Sequence, residues 1–171
     1  FAVIGLSVFF YLSGMKTTLL FLSVLLSANI IGQNVYIPNA VFKLYLVGNS
    51  EINTNGDTEI QVSEATAFDG QISCHSSSIS DLTGIEAFTA LTTLYCSNNQ
   101  LTILDLSQNT ALTSVQCVYN QLTSLDVSQN TALTSLSCGY NQLTSLDVSQ
   151  NTALDILRLS LIHISEPTRP Q

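Results

Sequence analysis

Basic residues are scarce in this sequence. Its 171 residues hold four Lys and Arg against 12 Asp and Glu, a formal net charge of −8. From Asn34 to Arg158 the Lys and Arg residues are Lys43 and Arg158 alone. Phosphate neutralisation and attachment to an anionic bilayer both need clustered cations, so this balance argues against nucleic acid and against a polybasic membrane patch. Histidine is scarce too, and between the same limits only His75 is present, beside Ser76, Ser77 and Ser78. Catalysis needs a positioned base, nucleophile or metal. Triads are assembled from distant positions, so a Ser–His neighbourhood along the chain reads as a polar turn, and the chain as no enzyme. Charged residues make up 9% of the chain and apolar ones 46%. The surface must therefore be built from neutral hydroxyls and amides, which suits a repetitive β-rich coat.

The two ends differ from the middle. Met15 and Lys16 precede a largely apolar run from Leu19 to Leu26 and then small or polar residues, the layout of a secretory signal peptide over 15–33. Cleavage between Ala28 and Gln33 leaves a mature chain from about Asn34. A membrane anchor is the alternative, disfavoured because Lys16 interrupts the apolar stretch and a spanning helix takes about 20 unbroken apolar residues. Residues 1–14 then read as upstream sequence in frame. At the far end, LSLIHISEPTR over 159–169 matches the translation of a widely used transposase sequencing adapter. The segment 159–171 is therefore set aside as an artefact, the native sequence is taken to stop near Arg158, and His163 and Glu166 carry no role.

Between them lies a repeat. LTTLYCSNNQLTILDLSQNTA from Leu91, LTSVQCVYNQLTSLDVSQNTA from Leu112 and LTSLSCGYNQLTSLDVSQNTA from Leu133 recur every 21 residues, and Leu154 opens a fourth copy. Read by column, Leu91, Leu112, Leu133 and Leu154 form one ladder; Leu94, Val115, Leu136 and Leu157 form another. Cys96, Cys117 and Cys138 follow, then Asn99, Asn120 and Asn141, then Leu101, Leu122 and Leu143. A coil this small cannot enclose a core, so neighbours must stack and bury the ladders between them. The L-x-C triplet alternates in and out as a strand does, which predicts a parallel sheet through 94–96, 115–117 and 136–138. Each Asn can bond the turning backbone, which explains a polar residue repeated at an inward position. A degenerate coil runs from Ile72, with Cys74 in the Cys column at a 22-residue step and Ile79, Leu82, Ile85 and Phe88 turned inward.

The pattern LxxLxCxxNxL resembles the leucine-rich-repeat signature with Cys at an inward position. ISDLTGIEAFTALTTL is similar to internalin-type bacterial repeats, and LTSLDVSQNTALTSL with a Cys in each coil looks like the secreted leucine-rich-repeat proteins of Bacteroidetes. The resemblance covers about 72–158. It implies an α/β-type repeat solenoid, mostly β: a right-handed leucine-rich-repeat solenoid over 71–158 with a parallel sheet and a small helical N-terminal cap. Full-length members commonly end in a sorting domain for type IX secretion, which lies beyond this sequence.

Four Cys in an exported protein ordinarily suggest disulfides. Stacked parallel side chains do not present the torsion near 90° that a disulfide needs, so Cys74, Cys96, Cys117 and Cys138 are expected as buried free thiols. Asp105, Asp126 and Asp147 form a column of like charges, read as caps of their own turns rather than as a calcium stripe.

From 34 to 70 the periodicity stops. VFKLYL after Pro38 and Asn39 predicts a short helix carrying Val41, Phe42, Leu44, Tyr45 and Leu46. NTNGDTEIQVSE then places Asn53, Asn55, Asp57, Glu59 and Glu64 at positions 1, 3, 5, 7 and 12 of a loop resembling the calcium loop of EF-hands and dockerins. Position 1 is Asn where Asp is usual, and Thr58 replaces the turn glycine, Gly56 sitting two places early. The segment is expected to cap the first coil, with calcium as a candidate cofactor.

The functional expectation is a secreted or cell-surface binding module for protein or glycan, acting in adhesion. The alternatives are a non-binding spacer, or targeting repeats of an enzyme whose catalytic domain lies downstream. Variation between coils concentrates in the outward positions of the Cys half, which is taken as the concave face. Tyr95, Gln116, Tyr119, Ser137 and Tyr140 are the candidate ligand-binding residues, with Tyr119 stacked beneath Tyr140.

Overall fold

The computed structural model describes residues 33–159. The expected read-through, signal peptide and adapter-derived tail fall outside the described residues, save Gln33 and Leu159 at their edges.

The described chain begins by closing a loop on itself. Asn34 bridges antiparallel to Gln61, with Val35 N donating to Ile60 O at 2.8 Å and Val62 N to Gln33 O at 2.8 Å. Pro38 and Asn39 start helix α1, Ala40–Val47, where Asn39 Oδ1 accepts from Val41 N at 3.1 Å and Phe42 N at 3.0 Å. This satisfies two of the amide groups that every helix start leaves unpaired. Phe42 and Leu46, one turn apart, are fully buried, whereas Val41 and Leu44 face solvent because the helix lies on the solenoid by one side only. A second helix, α2, spans Val62–Ala67, and Glu64 at its third position returns Oε2 to Gln61 N at 3.0 Å.

Five three-residue strands follow, one per coil: β1 Gln71–Ser73, β2 Thr93–Tyr95, β3 Ser114–Gln116, β4 Ser135–Ser137 and β5 Ile156–Arg158. They form a single parallel sheet in sequence order. Ile72, Leu94, Val115, Leu136 and Leu157 stand in line across it. The strands lie one residue earlier than the L-x-C triplets suggested. The Cys amides still join the ladder, Cys96 N donating to Gln116 O at 2.8 Å and Cys117 N to Ser137 O at 2.9 Å. The chain then bends out of the sheet, because two residues past each Cys the backbone turns left-handed.

The ladders at 91, 94 and 101 are buried through the coil of Leu133, Leu136 and Leu143, as are Ile79, Leu82, Ile85 and Phe88 of the degenerate coil, whereas Leu154 is half-buried and Leu157 exposed. Cap and first coil are joined at several places. Phe68 meets Phe88 edge-on with centroids 6.3 Å apart. Tyr45 on α1 accepts a hydrogen bond from Ser73 N of β1 at 2.8 Å. Gly84, at φ +104°, lets the entering chain pass directly over it: a Cβ there would lie 2.7 Å from Ile37 Cγ1 and 3.0 Å from Tyr36 O.

Candidate binding face

In-register parallel stacking turns each outward position of the Cys half into a column. On the strands, Ser73, Tyr95, Gln116, Ser137 and Arg158 are paired successively. Past the Cys residues come His75, Ser97, Val118 and Gly139, then Ser76, Asn98, Tyr119 and Tyr140. This last column holds a left-handed backbone, with φ of 54°, 55°, 57° and 52°. Asn is enriched in that region and Tyr is not. The bend is enforced from inside by the Asn column. Asn120 Nδ2 donates to Cys96 O at 3.0 Å and Cys117 O at 3.1 Å, while its Oδ1 accepts from Leu101 N at 3.1 Å. Asn99 and Asn141 do the same in their coils.

On that bend Tyr119 and Tyr140 stack, centroids 4.2 Å apart and rings inclined by 18°, with 50% and 38% of their surfaces exposed. Two of the five candidate residues are thus brought together by the fold. Tyr95 is half-buried on β2, in the strand column beside Gln116 rather than in the column of the pair. Ser137, expected on the outer surface, is 4% exposed. It floors a recess of about 260 Å³ bounded by Gln116, Val118, Gly139 and Arg158. Arg158 and Gly139 are residues of this face outside the five candidates. The signal was a glycine where other coils carry His75, Ser97 or Val118, and a guanidinium where they carry neutral groups.

The thiols are free, buried and aligned. Burial pushes their pKa values up from 9.0, to about 11 at Cys138 and about 12 at Cys74, and raises those of Cys96 and Cys117 as well. The acidic column caps its own turns: Asp105, Asp126 and Asp147 accept from Ser107 N, Ser128 N and Ser149 N at 2.8–2.9 Å. Those amide hydrogen bonds hold the three carboxyls below their usual pKa. His75 Nδ1 lies 3.2 Å from Ser73 Oγ, and the His75 carbonyl accepts from Ser77 Oγ at 3.0 Å, a polar turn.

The fold gathers Asn53, Asn55, Asp57, Glu59 and Glu64 into one loop, with their oxygens committed to protein donors. Glu64 Oε1 accepts from Thr54 N, Thr54 Oγ1 and Asn55 N at 2.8, 3.0 and 3.2 Å. Asn53 Oδ1 accepts from Gly56 N, Asp57 Oδ1 from Glu59 N, and Glu59 pairs with Lys43. Asn55 Nδ2 donates inward to Asp57 Oδ2 and Gln61 Oε1. A cation needs six to eight oxygens free to converge, and here most of the candidate oxygens already accept from protein N–H and O–H groups. As folded, the donor set does not fit calcium, and among the described residues no cluster of three His, Cys, Asp or Glu side chains forms a metal cage.

Stacked coils, one parallel sheet, and Leu, Cys and Asn ladders define a leucine-rich-repeat solenoid, and known proteins agree. Internalin J of Listeria monocytogenes serotype 4b (strain F2365) is 50% identical over 56 residues, 33% of this chain and 6% of that protein. The solved functional domain of InlJ from Listeria monocytogenes, which includes a cysteine ladder, matches with a TM-score of 0.60 and 40% identity over 73% of this chain and 29% of that one. Internalin InlF of the same species, at a TM-score of 0.60 and 20% identity, covers 74% of this chain and 37% of its own, and shares the fold. No protein-family model matches the chain. The repeats are internalin-like. The chain spans less than a third of the InlJ domain. Among the described residues no helix is long and apolar enough to cross a membrane.

Proposed function

We propose that this chain is the recognition segment of a secreted or cell-surface bacterial protein of the Bacteroidetes type, binding protein or glycan through the Cys-half face. A signal peptide over 15–33, a cap over 34–70 and repeats over 71–158 are the division that goes with it. The observation carrying this reading is the exposed Tyr119–Tyr140 stack on a left-handed backbone. Bulky side chains on such a backbone are strained, and strain of this kind gathers at functional sites. Tyr offers a large contact area with a polar tip, a frequent anchor in recognition. Tyr95, Gln116 and Ser137 extend the surface along the sheet. The loop from Asn53 to Glu64 serves as the cap of the first coil.

Replacing Tyr95, Tyr119 and Tyr140 together by Ser tests the face, and Ser76 shows that the left-handed column accepts Ser. Adhesion to a panel of surface proteins and glycans should fall while the melting transition persists. A lower Tm with unchanged adhesion assigns the tyrosines to coil packing and ends the proposal.

A further inference from the structure

We propose that the recess over β4 is a subsite for the carboxylate of an acidic saccharide, a hexuronate unit of a longer glycan. This rests on the reading of the Cys-half face as a recognition surface. The recess arises because two small residues, Ser137 and Gly139, lie two apart on one coil, while the preceding coil carries Gln116 and Val118 and the following one Arg158. Ser137 is 96% buried, yet its hydroxyl bonds nothing among the described residues and lies at the floor. The Ser137 oxygen itself is not sealed from solvent: it opens onto the recess, where a ligand oxygen can bond it. The Gln116 amide is likewise uncommitted among the described residues.

Charge decides the ligand's sign. Arg158 is exposed and makes no ion pair among the described residues, whereas Lys43 is engaged by Glu59. Among the described residues no acidic side chain lines the recess. A guanidinium fork matches a carboxylate bidentately, with Ser137 and Gln116 placed for the hydroxyls beside it. Shape and polarity decide the class. At about 260 Å³ the recess falls below the range of roughly 300–1,000 Å³ that whole small-molecule sites occupy, which suits a single sugar unit. Protein interfaces concentrate apolar side chains at their centre. This face instead presents Thr93, Ser114, Gln116 and Ser135, with the tyrosine pair one column past the recess. Aromatic faces pack against the C–H side of sugar rings.

Calorimetry on the full chain with tetragalacturonate, its methyl ester and a hexaglutamate peptide tests this. Tetragalacturonate should bind, and esterification, Arg158→Gln and Gly139→Val should each weaken it at least about tenfold, since every one removes the charge pair or fills the recess. Gly139→Val repeats Val118 of the neighbouring coil, so the fold is preserved, and a melting curve verifies it. Equal binding of the ester, tighter binding of hexaglutamate, or no heat with tetragalacturonate at millimolar concentration overturns the subsite. Adhesion assays separate its failure from that of the wider reading. Loss of adhesion on the Tyr→Ser changes but not on Gly139→Val removes the recess and leaves the face. Adhesion indifferent to both removes both.

Discussion

Two asparagine columns look alike in the sequence and differ in the structure. Asn120 uses its amide fully: it bonds the Leu101 N–H and two carbonyls, Cys96 O shared with Asn99 and Cys117 O shared with Asn141. Asn130 donates to Leu106 O and Asn109 O at 2.9 Å each, but its buried Oδ1 has no hydrogen-bond partner, and Asn109 and Asn151 repeat this. Truncating Asn120 to Ala strands the buried Leu101 N–H, while Cys96 O and Cys117 O keep Asn99 and Asn141 as donors, so we expect a loss of about 1–3 kcal/mol in urea unfolding. Asn130→Ala strands no backbone group, because Leu106 O and Asn109 O keep the Asn109 and Leu112 amides, and it removes an unsatisfied oxygen, so it should cost clearly less. Equal costs would mean that the stranded Leu101 N–H carries no penalty. The recurrence of both columns was readable from the period, because a repeated inward amide has to bond backbone. Which amide atom stays unpaired was not, since that depends on where the neighbouring coil's N–H groups point. The left-handed tyrosines were hidden likewise, although Asn98 in their column hinted at the backbone they share.

The cap shows the same mixture at the level of elements. Helix α1 could be read from Pro38, Asn39 and the apolar residues after them. Helix α2 was absorbed into a metal-loop pattern, because Glu64 stands both at loop position 12 and three residues past Gln61, where a helix start wants a carboxylate. Geometry favours the second role. Glu64→Gln puts an amide N–H against backbone N–H groups, so it should lower Tm by the same amount in calcium and in chelator. A rise in Tm on calcium addition that this change abolishes would restore the metal. Gly84 is the other pivot. Ala there combines left-handed strain with a Cβ 2.7 Å from Ile37 Cγ1, so Gly84→Ala should destabilise by about 1–3 kcal/mol. Hydrogen exchange should quicken in α1 and the Asn34–Gln61 bridge ahead of the later coils.

Across the molecule, the 21-residue period predicted a parallel solenoid because equal steps let identical backbone groups meet, and five strands in sequence order answer to it. What the period could not specify was the one-residue shift of the strands, set by the bend after each Cys. The thiol ladder couples the whole stack to pH. Folding raises the thiol pKa values, so the unfolded chain ionises first. Stability is fully present below about pH 9 and declines as pH passes through about 11 at Cys138 and about 12 at Cys74. Urea midpoints between pH 7 and 11 should fall accordingly, less steeply in a Cys74→Ala, Cys138→Ala double variant; slopes unaffected by that change would place the alkaline sensitivity in the tyrosines.

The shared register has a genetic consequence. Excising residues 112–132 joins Ala111 to Leu133, the same Ala–Leu junction that Ala132 makes now. Leu94 would then face Leu136, and Asn141 would reach the Cys96 carbonyl in place of Cys117. Such a deletion should yield a folded protein one coil shorter, checked by its melting curve and hydrodynamic radius. It would also set Asn98, not Tyr119, beneath Tyr140. Recombination between nearly identical coils thus changes length and surface in one event while leaving every ladder intact, so copy number itself becomes a heritable way to alter the face the coils present.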